Sequence, residues 1–237
     1  MDSLVQARPG KRKHNSIAPR GVLAVNPSDV YCFPALARCY GLKRRFLFNS
    51  QFFTGPDFFV AGPAVGAPMA ALSLESLIAL GAKCLILYSW CGSLHPSLQS
   101  GAFFMPTSAV SEEGTSKHYP YEEENRDCFL ENALQSWLVR QGHVVQQGPL
   151  WSTDAPFRET REKISAYAGT GVWAVDMEYA ALRAVAAFRQ VELAALFTVS
   201  DELFHDTWRP AFTSQAFRRR SQERLQHLCT FLGDQQS

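Results

Sequence analysis

Residues 60–94 read VAGPAVGAPMAALSLESLIALGAKCLILYSWCGSL. The short apolar run at the start leads into a segment rich in Gly and Pro, 62–68, which predicts a strand followed by a loop. Residues 69–80 show a helical pattern, and Gly81 is typical of the residue that ends a helix. The continuous apolar run CLILY, 84–88, then predicts a buried strand. The stretch is therefore a strand, a helix and a second strand in direct succession.

The same alternation continues on both sides of this stretch. Residues 21–26 form a short apolar run, and the helical pattern that follows it ends at Gly41. The remaining predicted elements are, in order, an amphipathic helix over 125–141, a strand over 172–175, a helix over 177–188 and a strand over 191–199. Alternating strands and helices predict an α/β fold in which helices cover both faces of a largely parallel or mixed sheet.

Length and composition indicate one globular domain. The chain has 237 residues, of which 46% are hydrophobic, and a net charge of +1, which argues against a nucleic-acid-binding surface. The only basic cluster near a terminus, at 11–13, is too small for that purpose. We expect a mobile N-terminal tail over residues 1–20 and a single domain over 21–237.

The location of the protein is predicted from its apolar runs and its cysteines. No apolar run approaches the roughly 18 to 20 residues of a membrane span, and the N-terminus lacks the apolar core of a signal peptide. The 6 cysteines show no CxxC pairing and lie mostly in apolar runs. We therefore expect a soluble, cytoplasmic protein without membrane contact.

Metal and nucleotide cofactors are not expected. The 6 histidines are dispersed and show neither HExxH nor His/Cys spacing. The segment 62–68 has neither the Gly-Lys-Ser/Thr ending of a Walker loop nor a GxGxxG fingerprint. The sequence therefore predicts no bound metal, no nucleoside triphosphate and no dinucleotide.

Carboxylates follow two of the predicted strands, where sheets of this class bind their ligands. Glu178 stands between a strand and a helix, where the helix dipole stabilises a carboxylate. It is equally suited to accept two hydrogen bonds from a vicinal diol. Asp201, with Ser200 beside it, ends another strand and either caps the next turn or, shielded from water, acts as a general acid. The residues alone leave both alternatives open.

Small residues follow the strand CLILY at 89–93 and predict a turn. Its backbone amides, including those of Cys91 and Gly92, are placed to bind an anion or a hydroxyl group. The alternative is a tight turn around a packed Trp90. Nothing close in the sequence lowers the pKa of the Cys91 thiol, so we expect this side chain to pack rather than to react.

Several segments together resemble a known family. They are residues 60–94, EEGTSKHY at 112–119, WSTDAPFRET at 151–160, AVDMEYAAL at 174–182 and TVSDEL at 198–203. In this order they resemble the family that unites hexameric purine nucleoside phosphorylases, uridine phosphorylases and related nucleoside hydrolases. The resemblance covers nearly the whole chain after Gly21. It implies a three-layer fold, with a central mixed, partly barrel-like sheet flanked by helices, in a homo-oligomer that is a dimer or a hexamer.

The resemblance also implies roles for the two carboxylates. Glu178 would bind the 2′- and 3′-hydroxyls of a ribose, and Met177 would pack against the sugar. Asp201, with Ser200 beside it, resembles the acid that protonates N7 of a departing purine.

Three further residues match the region that binds the base. Trp151 corresponds to an aromatic side chain that lines the base pocket, where it would stack on a ring. Arg158 and Glu159 fall in the region where uridine phosphorylases recognise their base. The resemblance therefore favours a purine and leaves uridine open.

The phosphate site of the family is altered in this chain. Family members hold phosphate with a Gly-Asp-Pro-x-Arg turn and with a second Arg before a Cys-Gly turn. Ser28 stands at the position of the Gly, whereas Cys32 and Leu87 replace the two arginines. The resemblance implies that Arg45 or its neighbour Arg44 is the arginine that one subunit supplies to the phosphate site of another.

The predicted region for phosphate or another nucleophile consists of Ser28, Arg45, Trp90, Cys91 and Gly92. We expect a pentosyltransferase that converts a nucleoside and inorganic phosphate, its co-substrate, into a free base and ribose 1-phosphate without a cofactor. Because a dianion without Arg partners loses its best ligands, hydrolysis by water and nucleoside binding without turnover stay open as alternatives.

Overall fold

The structure is a computed structural model and describes residues 4–7, 16–121 and 128–234. Its strands are β1 (Arg20–Ala24), β2 (Lys43–Leu47), β3 (Ser50–Thr54), β4 (Phe59–Gly62), β5 (Cys84–Ser93), β6 (Phe103–Ser111), β7 (Val145–Ser152), β8 (Ala174–Asp176), β9 (Glu192–Glu202) and β10 (Arg209–Pro210). Its α-helices are α1 (Pro27–Val30), α2 (Phe33–Tyr40), α3 (Ala67–Ala79), α4 (Phe129–Arg140), α5 (Arg161–Gly169), α6 (Tyr179–Arg189) and α7 (Gln215–Asp234). Two short 3₁₀ helices span Ser116–His118 and Pro156–Arg158.

Five strands close into a barrel. Along its circumference β9 pairs with β6, β6 with β7, β7 with β8, β8 with β5, and β5 again with β9. The pairs β6–β7, β7–β8 and β5–β9 are parallel, whereas β5–β8 and β6–β9 are antiparallel. From β5 the sheet continues through β1, β4, β3 and β2. This arrangement confirms the predicted α/β fold with a mixed, partly barrel-like sheet.

Helices cover the sheet on both sides, which gives the predicted three layers. One apolar cluster joins the sheet to α3 and α6, with Leu74 and Leu182 fully buried. The other joins it to α2, α4 and α7, with Leu134 and Leu228 fully buried. Because both faces are covered, the central strands are apolar throughout, as CLILY is.

The predicted turn at 89–93 is wrong, because β5 continues through it to Ser93. These residues pair with β9 on one side, and Gly92 and Ser93 also pair with β8 on the other. Backbone groups that would be unpaired in a turn are therefore satisfied within the barrel. A shift of register between Cys91 and Gly92 marks a bulge at this point.

The other predicted elements agree in type with the structure. Gly41 follows α2 with a left-handed φ of 66°, as expected for a helix end. The predicted helix over 125–141 corresponds to α4, but its first residues lie outside the described part of the chain. The elements that the sequence analysis did not assign are β2, β3, β6, β7, β10, α1, α5 and α7.

The N-terminal segment is described only in part. Most of the predicted tail, including the basic cluster at 11–13, lies outside the described residues. Ile17 is buried, and its N–H donates to the Leu80 carbonyl oxygen at 3.1 Å, so the packed part begins before Gly21. Within the described ranges, the helices are too short or too polar to cross a membrane.

Candidate active site

A cavity of about 670 Å³ opens where β5, β8 and β9 meet. Its lining residues are Asn26, Val65, Ser89, Trp90, Cys91, Gly92, Pro156, Phe157, Glu159, Val175, Asp176, Met177, Glu178, Ser200, Asp201, Leu203, Trp208 and Phe212. The cavity therefore brings together eight of the twelve predicted site residues: Trp90, Cys91, Gly92, Glu159, Met177, Glu178, Ser200 and Asp201.

The start of α6 is capped by side chains other than Glu178. The Asp176 carboxylate accepts hydrogen bonds from the backbone N–H groups of Glu178, at 3.0 Å, and of Tyr179, at 2.7 Å. The Ser152 hydroxyl donates to Asp176 and accepts from the N–H of Ala180 at 3.0 Å. Because these two side chains satisfy the first turn, Glu178 is available to face the cavity.

The Glu178 side chain is held in a buried, acidic environment. The residue is 3% exposed, and one carboxylate oxygen accepts the Gly66 N–H at 2.6 Å. Burial, together with the nearby charge of Asp176, raises the pKa of Glu178 well above its usual range. Burial likewise raises the pKa of Asp176. This end of the cavity therefore presents two carboxyl groups within a small volume.

At the end of β9 both carboxylate oxygens of Asp201 have partners. The Ser200 hydroxyl lies 2.5 Å from Oδ1, and the Trp208 Nε1–H donates to Oδ2 at 2.8 Å. Burial and the neighbouring charge of Asp201 raise the pKa of Glu159 to about 8. A protonated carboxyl group next to Asp201 at neutral pH can supply a proton to a leaving group.

Aromatic side chains form a further wall of the cavity. Trp90 stacks on Phe212, with ring centroids 6.2 Å apart and an interplanar angle of 26°. Trp208 also contacts Phe212, with ring centroids 5.8 Å apart, and Phe157 is 96% exposed. Apolar rings next to hydrogen-bonding carboxyl groups suit a planar ligand with polar edges.

Trp151 and Arg158 do not line this cavity. Trp151 is fully buried, stacks on Tyr167 at 4.2 Å and donates through Nε1 to Glu112 at 3.1 Å. Successive side chains of a strand point to opposite faces, so Trp151 faces away from Ser152, which contacts Asp176. Arg158 ends the short 3₁₀ helix and is exposed. Of the predicted base-binding residues, only Glu159 reaches the cavity.

Ser28 and Arg45 also lie elsewhere. Ser28 belongs to α1 and lines a separate surface pocket with Gln222, whose side-chain amide donates to the Ser28 carbonyl oxygen at 2.7 Å. Arg45 belongs to β2 and donates to the Ser16 carbonyl oxygen at 3.1 Å. The hairpin of β2 and β3 carries Arg45 together with the exposed Arg44.

The positions of the two missing arginines are neutral. The Cys32 thiol donates to the Asp29 carbonyl oxygen at 3.0 Å, and burial raises its pKa to about 12. Leu87 is fully buried in β5. In the part of the chain that the structure describes, no Lys, Arg or His lines the cavity, whereas four carboxyl groups do, those of Glu159, Asp176, Glu178 and Asp201. The cavity is therefore acidic.

Within the described ranges, no three His, Cys, Asp or Glu side chains are grouped so that they could hold a metal ion. The carboxyl groups of Asp176, Glu178 and Asp201 accept hydrogen bonds from N–H and O–H donors, among them those of Gly66, Ser152, Ser200 and Trp208.

The aromatic residues Phe157, Trp208 and Phe212 were not predicted as site residues. Phe157 lies within the singled-out segment WSTDAPFRET, and the other two come shortly after TVSDEL. Large aromatic side chains in short, polar connecting segments were the available signal, since such side chains are usually buried within elements.

Comparison with known proteins agrees with this geometry. A family model described as the phosphorylase superfamily matches residues 30–232. Guanosine phosphorylase of Halorubrum lacusprofundi is 27% identical over 165 residues, which is 68% of each chain. Purine nucleoside phosphorylase from Toxoplasma gondii, solved in complex with immucillin-H, has a TM-score of 0.79 at 16% identity, with 98% of this chain and 96% of that chain covered. AMP nucleosidase from Bacteroides thetaiotaomicron has a TM-score of 0.68 at 21% identity, with 90% and 91% covered. With 203 matched residues and the same fold, the chain belongs to the phosphorylase superfamily.

Proposed function

We propose that the protein is an enzyme that cleaves the N-glycosidic bond of a purine nucleoside and that water accepts the ribosyl group. The observation that carries this proposal is the composition of the cavity lining, which has four carboxyl groups and no cation among its described residues. Phosphate would enter as an anion without a guanidinium partner. For this reason we favour hydrolysis over the phosphorolysis expected from the sequence.

The ribose end of the site is built around Glu178. Its buried carboxyl group is fixed by the Gly66 N–H and can accept hydrogen bonds from two adjacent hydroxyl groups. Met177 lines the cavity beside it and offers a soft apolar contact to the sugar ring. The ribose is thereby oriented before bond cleavage, an effect that can contribute as much as or more than proton transfer.

The base end is formed by Asp201 and Glu159. Cleavage leaves negative charge on the departing base, and protonation of a purine at N7 removes this charge. A carboxyl group in position to donate that proton contributes on the order of 10²–10⁴ in rate. The carboxylates also stabilise the positive charge that develops on the sugar in an oxocarbenium-like transition state.

Phosphorolysis is the second candidate. Guanosine phosphorylase of Halorubrum lacusprofundi is a phosphorylase by name, and the exposed Arg44 on the β2–β3 hairpin could be lent to the cavity of a second copy. In that assembly the missing cation would come from another subunit, as the resemblance implies for Arg44 or Arg45.

Product analysis tests the proposal. Purified protein is incubated with adenosine, guanosine, inosine and uridine, with and without phosphate, and the released sugar is identified. We expect free ribose from the purine nucleosides in both buffers, and ¹⁸O at C1 of the ribose when the reaction is run in ¹⁸O-water. Ribose 1-phosphate formed only with phosphate would support the second candidate. Release of no base from any of the four nucleosides would contradict both.

A further inference from the structure

A second cavity adjoins the one described above. Its volume is about 440 Å³, and the two cavities share three residues, Glu159, Leu203 and Trp208. The shared side chains form the wall between the cavities. The second cavity therefore lies directly beyond the carboxyl group that neighbours Asp201.

The orientation of the purine at Asp201 determines which of its substituents lies next to the residues shared by the two cavities. N7 and the substituent at position 6 lie on the same edge of the ring, where adenine carries its N6 amino group and guanine its O6. If N7 faces Asp201, the substituent at position 6 is directed toward the neighbouring Glu159. An enlarged substituent would pass that side chain and enter the second cavity.

The less exposed part of the second cavity's lining is mainly apolar. It includes the buried Leu94 and the half-buried Ile164, Leu203 and Phe204, whereas polar residues such as Arg161, Ser165 and Asp206 are exposed. The nitrogen donors of its lining have acidic partners, because His205 Nε2 lies 2.8 Å from the Glu202 carboxylate and the Arg161 guanidinium lies 3.8 Å from that of Asp206. An acidic substituent would have to compete with these carboxylates, whereas an apolar one buries surface without that cost.

We propose that the second cavity binds an apolar substituent on position 6 of the purine, so that the enzyme prefers N6-substituted purine nucleosides to unsubstituted ones. This inference rests on the proposed function and names its substrate class. The fit of one extra apolar group in such a pocket changes kcat/KM by about tenfold or more.

The test compares N6-benzyladenosine with adenosine. We expect a kcat/KM at least about tenfold higher for the benzyl compound and a Kd, from calorimetry, that is lower by a similar factor. Ala168→Trp fills the second cavity from α5 and should reduce the ratio of the two kcat/KM values to about one. Ser165→Trp, from the same helix face, serves as a second variant should the first fail to fold.

Ala166→Trp is the matched control, because this residue lies on the same helix and is not part of the cavity lining. It should leave the ratio unchanged. If adenosine is cleaved as well as N6-benzyladenosine or better, the inference is overturned while the proposed function stands. If neither compound is cleaved, the ratio of the two Kd values decides the inference, with equal values contradicting it. The proposed function fails as well if guanosine and inosine are also not cleaved.

Discussion

The Glu178 carboxyl group lies buried at the start of α6, next to the buried Asp176. Its raised pKa means that the folded protein binds more protons than the unfolded chain between the ordinary pKa of Glu and the raised one. The free energy of unfolding therefore falls as the pH rises through this window. The side chain that we assign to the ribose thus destabilises the fold at neutral pH.

Replacement of Glu178 tests whether its carboxyl group lowers the free energy of unfolding at neutral pH. We expect Glu178→Gln to be more stable than the wild type at pH 7, on the order of 1–3 kcal/mol, and equal to it at pH 4, where Glu178 is protonated in both states. Nucleoside binding should weaken at least about tenfold, because an amide offers a single acceptor oxygen to the two ribose hydroxyls. Urea unfolding at both pH values and calorimetry measure the two effects. Glu223→Gln, at an exposed site, is the control, and a stability difference that does not change with pH would contradict the account.

A second residue-scale prediction concerns Trp208, whose indole N–H donates to Asp201 Oδ2 at 2.8 Å. This hydrogen bond helps to fix the orientation of the Asp201 carboxyl group. Trp208→Phe keeps an aromatic wall but removes the donor. We expect kcat to fall about tenfold, because the carboxyl group is less well oriented toward the base. An unchanged kcat, with only KM affected, would show that Trp208 acts solely as part of the aromatic wall.

Among the elements, β5 is the one that brings the site together. It pairs with β8 and β9, and Gly92 is paired with both Val175 of β8 and Asp201 of β9. A β-carbon at Gly92 would lie 2.6 Å from a Leu203 methyl group and 3.2 Å from both Asp201 Oδ2 and a Val175 methyl group. Any side chain here would therefore displace neighbours, Asp201 among them.

Gly92→Ala should therefore affect activity more than stability. Overpacking of this kind costs about 1–3 kcal/mol, and displacement of Asp201 should lower kcat/KM by about a hundredfold. Unfolding curves and steady-state kinetics measure both. Gly169→Ala at the end of α5, where the added β-carbon meets nothing within 4 Å, should leave both nearly unchanged. Wild-type kinetics in Gly92→Ala would disprove the close approach.

The elements also show how much of the fold could be predicted from the sequence. Local patterns identified β1, α2, α3 and β9, because their apolar periodicity and their Gly stops are contained in the elements themselves. The end of β5 was missed, because SWCGS is rich in small residues and becomes a strand only through pairing with β8 and β9, which are distant in sequence. Trp151 was placed in the base pocket by resemblance, but strand alternation turns it away from Ser152 and the cavity.

At the scale of the whole molecule, the chain is almost neutral, with a net charge of +1, and yet four carboxyl groups and no cation line its cavity in the described part of the chain. Composition cannot reveal this, because Glu159, the pair Asp176 and Glu178, and Asp201 come from three segments that meet only in the folded protein. The sequence singled out Glu178 and Asp201 as candidates, and the family resemblance supplied the roles that we propose for them. The absence of a cation around them, in the described part of the chain, is a property of the assembled fold.

A crystal structure of the Asp201→Asn variant with bound adenosine tests the central claim, that one cavity holds both ends of a purine nucleoside. The account predicts that the two ribose hydroxyls lie within hydrogen-bond distance of the Glu178 carboxylate and that purine N7 faces the side chain of residue 201. A nucleoside bound elsewhere, or bound here with its ribose away from Glu178, would contradict it.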